Sequence, residues 1–205
     1  MTEDEAKVYL KNSLSLSVIE LKKLEIFRSL LLEFNSRYNL ISKSTENLIW
    51  SRHILDCAQL IKLFDINSKT KLVDFGSGAG FPGIVLAICN SNPEFHVKLY
   101  EKSPIKRKFL SSVKKIINLN IDIAENVLDE RIDADIVVAR AFKKLDKLIK
   151  ISREIVKIPH KLIILKGKNA QQEINNVSLG KNYRYNLVNS VTSFDSKIIV
   201  LDVLK

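Results

Sequence analysis

The sequence predicts an α/β protein with one mostly parallel sheet, and three features of the chain support this fold class. Apolar runs of strand length alternate with stretches of helical hydrophobic spacing. A glycine-dense turn, K-L-V-D-F-G-S-G-A-G-F-P-G over Lys71–Gly83, joins the first such strand to a helix. The last two apolar segments, Tyr183–Val188 and Lys197–Leu204, have the pattern of a closing β-hairpin.

The composition is that of a globular chain with excess positive charge. The 205 residues include 33 basic and 23 acidic side chains, a formal net charge of +10. This excess favours a polyanionic partner such as nucleic acid, and solubility charge explains it equally well. No apolar stretch approaches the ~20 residues needed to cross a bilayer, so we expect a cytoplasmic protein without membrane contact. The two cysteines and three histidines are scattered, and no metal site is expected.

Two helices are predicted ahead of the first strand. Ser17 and Glu20 have the spacing of a capping box, which begins an amphipathic helix. A second helix is predicted from Glu46 to Phe64. We therefore expect a helical appendage over residues 1–66 and a core over residues 67–205, together one structural unit.

Spacing alone gives the second helix a structural role. His53 lies on its apolar face, where a lone histidine is more often a packed, hydrogen-bonded residue than a catalyst. Arg52 and Asp56 are four residues apart, a spacing that commonly gives only an ion pair on a helix surface.

The glycine turn fits two cofactor motifs. Gly76, Gly78 and Gly80 resemble motif I of class I S-adenosylmethionine methyltransferases, and Asp74 precedes them at the spacing of that pattern. Gly78, Gly80 and Gly83 match the dinucleotide fingerprint. We prefer the first, because a dinucleotide turn should begin directly after the strand.

The number of strands discriminates better than the glycines do. Five strand–helix units followed by two strands are predicted, and a classical dinucleotide fold has six parallel strands. Seven strands with an antiparallel last member are typical of the class I methyltransferases, which are Rossmann-like. The four strands between the glycine turn and the hairpin are predicted at His96–Tyr100, Ile121–Ala124, Ala134–Ala139 and Lys161–Leu165.

Polar residues at the strand ends are candidate ligand contacts. Glu101 ends the second strand 25 residues after Gly76, close to the offset of the acidic residue that binds a ribose diol. Glu125 and Asn126 follow the third strand, where the adenine edge is read in this fold. Arg140 ends the fourth strand, on the side of the sheet where ligands collect.

Two basic helix faces could bind phosphates, or they could simply be solvated surface. The first follows the second strand and the other follows the fourth strand; their residues include Lys106, Arg107, Lys108, Lys143 and Lys147.

The ordered set of motifs resembles the bacterial 16S ribosomal RNA guanine-N7 methyltransferase family, small-subunit methyltransferase G, also called glucose-inhibited division protein B. The matching stretches are Y-N-L-I-S at 38–42, R-H-I-L-D at 52–56, V-D-F-G-S-G-A-G-F-P-G-I at 73–84, K-R-K-F-L at 106–110, R-A-F at 140–142 and L-K-G at 165–167.

The resemblance implies a cytoplasmic enzyme, expected to be a monomer, that methylates N7 of guanine 527 in 16S rRNA of the small ribosomal subunit with S-adenosylmethionine. It implies catalytic-site positions at Arg140, Lys166, His53 and Asn39, and RNA contact by Arg52 beside the basic faces. The implied cofactor contacts are Asp74, Gly76, Ser77, Gly78, Gly80, Phe81, Glu101, Glu125, Asn126 and Arg140. The chain departs from the family at Asn126-Val127-Leu128-Asp129, where an arginine-small-Glu-Glu run is usual.

Two other functions remain open from the sequence. An NAD-dependent oxidoreductase would use the second glycine register, and a non-catalytic RNA-binding protein would explain the charge. For a guanine-N7 methyltransferase we expect no acid–base pair, because N7 has a free lone pair and alignment with the methyl group is enough. Arg140 and Lys166 are then expected to guide the guanine.

Overall fold

The computed structural model describes residues 1–65, 69–90 and 92–204. Its centre is a seven-stranded sheet with the order β3-β2-β1-β4-β5-β7-β6, in which β7 is antiparallel to both of its neighbours. The predicted strand number and antiparallel final strand are confirmed. The strands are β1 Lys71–Phe75, β2 His96–Tyr100, β3 Ile121–Ala124, β4 Ile136–Arg140, β5 His160–Lys166, β6 Tyr183–Asn189 and β7 Lys197–Val203.

The strand order reverses beside β1. β1 pairs in parallel with β2 on one side and with β4 on the other, so the crossovers leave in opposite directions. Their carboxyl ends diverge at this point, and open α/β sheets bind ligands in the resulting crevice. The fold therefore predicts a ligand site next to Phe75, Tyr100 and Arg140.

Helices enclose the sheet, and two buried clusters of apolar side chains divide the core. The first joins the helices that precede β1 to one set of sheet residues, and the second contains the alternate sheet residues with the later helices. The α-helices are α1 Glu3–Asn12, α2 Val18–Asn35, α3 Asp56–Ala58, α4 Gly83–Ile88, α5 Pro104–Ile117, α6 Leu145–Ile155 and α7 Ala170–Asn175. None of the helices in the described ranges has the length and hydropathy of a membrane span.

Two predicted helices differ from the structure. The segment after β3 is a single 3-10 turn, Val127–Asp129, so the third strand–helix unit has no α-helix. The predicted helix Glu46–Phe64 consists of 3-10, π and α turns: the 3-10 turns are Lys43–Leu48 and Gln59–Leu63, and the π turn is Trp50–Leu55. Five of the six residues in the π turn are buried, so packing on several sides decides its geometry rather than one apolar stripe.

The capping box at Ser17 is confirmed, and the structure adds a second one at the start of α1. The Thr2 hydroxyl accepts a hydrogen bond from the Glu5 amide, and the Glu5 carboxylate accepts one from the Thr2 amide. Beyond this cap, the Glu3 carboxylate accepts hydrogen bonds from the backbone amides of Trp50 and Ser51, at 2.9 and 2.8 Å. Helix α1 is thereby attached to the π turn.

Glu3→Gln should lower the free energy of unfolding by about 2 kcal/mol. One carboxylate oxygen of Glu3 accepts from Trp50 and the other accepts from Ser51, and an amide group cannot accept at both ends. Urea unfolding measures the effect. The control is Asp4→Asn, which neutralises an exposed acid in the same helical turn. Equal stability of the two variants would contradict this role of Glu3.

Candidate cofactor site

A cavity of about 370 Å³ lies at the carboxyl ends of β1, β2 and β4. This volume is within the range of about 300–1,000 Å³ that is typical of small-molecule sites. Its lining is a mixture of backbone, apolar and charged groups: Leu40, Ile41, Gly76, Ser77, Gly78, Ala79, Phe81, Tyr100, Glu101, Lys102, Lys106, Glu125, Asn126, Val127, Arg140, Ala141 and Phe142.

Residues of the glycine turn form the floor of this cavity: Gly76, Ser77, Gly78 and Ala79 line it, whereas Gly80, a predicted cofactor contact, does not. Gly76, Gly78 and Gly80 all have positive φ angles, of 77°, 57° and 90°. A side chain at Gly76 would also collide with the ring of Phe142. The carbonyl oxygen of Tyr100 accepts hydrogen bonds from the Gly76 and Ser77 amides, both at 2.9 Å. The turn is thus fixed to the end of β2 and brings backbone within contact distance of a ligand.

Asp74 lies beneath the turn and does not line the cavity. Its side chain is fully buried, and Oδ2 accepts a hydrogen bond from the Gly83 amide at 2.9 Å. Burial raises the pKa of this carboxyl to about 7, against the lowering effect of the Gly83 hydrogen bond. The structure therefore gives Asp74 a place in the support of the turn, without the direct cofactor contact that the sequence suggested.

Glu101 lies at the rim of the cavity with a fixed orientation. Its Oε2 accepts a hydrogen bond from the Gly78 amide, and its Oε1 accepts one from the Ser103 amide, both at 2.8 Å. Each oxygen has a further lone pair, so the carboxylate can still accept the two hydroxyl hydrogens of a ribose. Glu101, which was predicted to bind the ribose, is well placed for that contact.

The third wall comes from the end of β3. Glu125, Asn126 and Val127 line the cavity there. The side chain of Asn126 folds back on its own loop, because it accepts from the Leu128 amide and donates to Asp129 at 2.8 Å. The Asn126 side chain is therefore engaged within its own loop, at the position where the family resemblance has an arginine.

Arg140 connects the sheet to the helical layer. Its Nη2 lies 2.6 Å from Nδ1 of His53, and its Nη1 lies 3.8 Å from the Asp56 carboxylate. The guanidinium also lies over the ring of Phe81, at 5.1 Å from the centroid. Arg140 and Phe81 line the cavity, whereas His53 and Asp56, the partners of Arg140, do not.

His53 is a neutral hydrogen-bond acceptor in this arrangement. Burial, followed by the positive charges of Arg140 and Arg52, lowers the pKa of His53 to about 3. A guanidinium can only donate, so Nδ1 accepts and the ring proton lies on Nε2. Nε2 is 3.0 Å from the hydroxyl oxygen of Thr45, which accepts a hydrogen bond from the Nε2 proton. Both ring nitrogens are therefore engaged within the protein.

The remaining predicted residues lie at differing distances from the cavity. Lys106 lines it, and Lys166 is at the same edge of the sheet with its ammonium group 2.7 Å from Glu173. Asn39 is exposed and next to two lining residues, although it is not one itself. Arg52, Lys143 and Lys147 are exposed on the surface.

Arg107 differs from the other predicted RNA contacts. Its guanidinium donates hydrogen bonds to two backbone carbonyls and to the carboxylate of Glu125. Arg107 therefore makes three hydrogen bonds within the protein, which its predicted contact with phosphate did not include.

Several residues that line the cavity were not predicted as site residues. Leu40, Ile41, Tyr100, Ala141 and Phe142 all face the cavity. A signal existed for most of them, since the first two belong to the Y-N-L-I-S stretch and the last two to the R-A-F stretch. Among the residues that the structure describes, no group of histidine, cysteine, aspartate or glutamate side chains could hold a metal ion.

Solved structures with a similar fold include one that contains S-adenosylmethionine. A mutant of MtNAS in complex with S-adenosylmethionine superposes with a TM-score of 0.61 at 13% identity, over 98% of this chain and 84% of that one. Cofactor-bound Rv0187 from MTB superposes with a TM-score of 0.68 at 11% identity, over 100% and 99% of the two chains. At these identities the similarity is one of fold.

The seven-stranded sheet with its antiparallel β7, and the cavity over the glycine turn, define the fold class of the class I methyltransferases. The narrower assignment comes from the sequence comparison. The family model described as rRNA small subunit methyltransferase G matches residues 20–199, and the chain belongs to this family. The NAD-dependent and non-catalytic alternatives are thereby set aside.

Close relatives carry the same description. A protein of Rickettsia felis named ribosomal RNA small subunit methyltransferase G is 39% identical over 180 residues, which cover 87% of this chain and 91% of the relative. One of Pelagibacter ubique with the same name is 34% identical over 187 residues, covering 88% and 87%.

Gly76→Ala should weaken binding of S-adenosylhomocysteine by about tenfold or more, because it forces a side chain into a positive-φ position against Phe142. Isothermal calorimetry measures the dissociation constant. Gly167→Ala is the matched control, since a Cβ at Gly167 meets nothing within 4 Å. Unchanged affinity in both variants would contradict the position of the cofactor on this turn.

His53 should remain neutral, with its proton on Nε2, when the pH falls from about 8 to about 5. The pKa of His53 is about 3 in the folded protein and near 6.5 in the unfolded chain. Below a pH of about 6.5, the unfolded chain therefore binds a proton that the folded protein does not bind, and this destabilises the fold. Nitrogen-15 NMR of the imidazole measures its protonation, with His53→Asn as the assignment control. A resonance that titrates near 6.5 would contradict the buried acceptor.

Proposed function

We propose that this protein methylates N7 of guanine 527 in 16S rRNA of the small ribosomal subunit, as a cytoplasmic monomer acting on assembled or nearly assembled subunits. The observation that carries the proposal is the pairing of Arg140 with neutral His53 at the edge of the cofactor cavity. This arrangement can hold a guanine without removing a proton from it. The family membership supports the same acceptor.

The cofactor fits the residues that form the cavity. S-adenosylmethionine supplies a methyl group on a positively charged sulfur, which is already activated for transfer to a nucleophile. Glu101 would accept hydrogen bonds from its ribose, and the backbone of Gly76 and Gly78 would lie against its amino acid and sugar. The apolar faces of Phe81 and Phe142 exclude water from the crevice beside them.

The arrangement around Arg140 suits an acceptor that needs no base. Neutral guanine has a free lone pair on N7, so the protein has to align N7 with the methyl group and exclude water. His53 has hydrogen bonds at both ring nitrogens and cannot take a substrate proton while they persist. Its role is to fix the direction of Arg140, whose free donors would contact guanine O6 or a phosphate.

Carboxylates limit the positive charge near the acceptor. The methylated guanine gains a positive charge, so an unpaired cation beside N7 would oppose the reaction. Asp56 lies 3.8 Å from Arg140, and Glu173 lies 2.7 Å from Lys166. Each cation can therefore donate hydrogen bonds to the nucleotide while its field is partly cancelled.

The exposed basic residues around the cavity would bind the RNA backbone. Lys106 lines the cavity, and Arg52, Lys143 and Lys147 are exposed. Such contacts supply sequence-independent affinity that falls as the salt concentration rises. The guanine would leave its stack to enter the crevice, because a base inside a helix cannot reach the methyl group.

Primer extension on 16S rRNA, after chemical cleavage at 7-methylguanine, tests the proposal directly. RNA from cells with the gene should give a stop at guanine 527, and RNA from cells without it should not. A stop at another nucleotide would retain the methyltransferase and reject the acceptor.

Arg140→Ala and Lys166→Ala should each reduce methyl transfer to small subunits by about tenfold or more, with little change in S-adenosylhomocysteine affinity for Lys166→Ala. Tritium transfer from labelled cofactor is the measurement. Lys71→Ala is a control on charge, because Lys71 is exposed at the amino end of β1, whereas the cavity lies at the carboxyl ends of the strands. Full activity of both variants would remove these two residues from the acceptor site.

A further inference from the structure

Arg107 lies behind the wall of the cofactor cavity. It belongs to the first turns of α5, and its guanidinium is not among the groups that line the cavity. Nη1 donates hydrogen bonds to the carbonyl oxygens of Glu101 and Lys102, at 2.9 and 2.7 Å. Nη2 donates to the carboxylate of Glu125 at 3.0 Å. One side chain therefore contacts three residues that do line the cavity.

These three residues belong to two separate walls. Glu101 and Lys102 continue from β2, and Glu125 continues from β3. The ladder between the two strands ends at the pair Tyr100 and Ala124, and the Glu101 amide makes one more hydrogen bond, to Ala124. Beyond that bond, the guanidinium of Arg107 bridges the walls.

Two sets of side-chain contacts connect the loop after β3 to β2: Arg107 binds Glu125 at the start of the loop, and Glu130 at its far end accepts hydrogen bonds from Lys98 and Tyr100. Asn126 directs both ends of its side-chain amide to Leu128 and Asp129 within the loop. Glu125 instead reaches out of the loop, to Arg107. Arg107, on the neighbouring helix α5, thus connects the wall at Glu125, here called the adenine-side wall, to the wall at Glu101, here called the ribose-side wall.

We infer that Arg107 is a positioning residue for the cofactor, which sets the spacing between the ribose-side wall at Glu101 and the adenine-side wall at Glu125. The inference rests on the cofactor class and is independent of the nucleotide that is methylated. It replaces the predicted role of Arg107 as a phosphate contact.

The physical reason is that the bridge orders the site before the cofactor binds. Without the bridge, the two walls would have to be ordered during binding, which lowers affinity without removing any direct contact. Arginine suits this role because its planar fork presents several donors at fixed angles. A lysine has the same charge and three donors, but all three are on one nitrogen, whereas Arg107 reaches the two walls from two separate nitrogens.

The test compares Arg107→Lys and Arg107→Ala with Lys108→Ala, an exposed basic neighbour on the same helix. We expect both Arg107 variants to weaken S-adenosylhomocysteine binding by about tenfold, as measured by calorimetry, and Lys108→Ala to stay within about twofold of the wild type. In turnover assays, the KM for S-adenosylmethionine should rise in Arg107→Lys, while kcat and the KM for small subunits stay near the wild-type values.

The opposite pattern would overturn the inference. If Arg107 contacted phosphate, Arg107→Lys would behave as the wild type, and Arg107→Ala would raise the KM for small subunits alone. Melting temperatures with and without S-adenosylhomocysteine give a second readout. An equal decrease in both would assign Arg107 to folding only, whereas a positioning role predicts a smaller stabilisation by the ligand in the variant.

Discussion

The geometry of the site depends on a buried carboxylate beneath a glycine turn. Asp74 accepts a hydrogen bond from the amide that begins α4, and the carbonyl oxygen of Tyr100 fixes the other side of the turn. The turn between these anchors contains three glycines in a conformation that side chains disfavour. Burial raises the pKa of Asp74, and the hydrogen bond from the Gly83 amide opposes this rise, so the same bond that fixes the start of α4 also favours the charged carboxylate.

Above this floor, the two halves of the site are joined by side chains that are distant in sequence. Arg140 at the end of β4 bonds to His53 in the π turn, 87 residues earlier. The cavity is therefore formed by strand ends, while Arg140, which we propose to guide the acceptor base, takes its orientation from the helical layer. Because Phe81 contacts both His53 and Arg140, the glycine turn and the acceptor side share one aromatic ring.

The sequence predicted what local signals encode. An apolar strand followed by glycines, and an acidic residue at the next strand end, located the floor and Glu101. It did not predict the π turn, because a segment buried on most sides lacks a single apolar stripe. Nor could a basic helix face reveal that Arg107 turns back to carbonyls of its own protein, since that depends on where β3 ends. Helix α1 was missed because its buried side consists of only Ala6 and Leu10, and Glu3 adds hydrogen bonds to residues far along the chain.

The attachment of α1 has a practical consequence for handling the protein. Met1 lies in the same surface depression as Arg52 and Asp56, so the start of α1 is close to the proposed acceptor side. The end of β7 at Val203 pairs with the first residue of β5, at the edge of the sheet away from the cavity. A purification tag or fluorophore fused after β7 would leave the proposed RNA-binding surface accessible. The same addition ahead of α1 would hinder RNA binding there sterically.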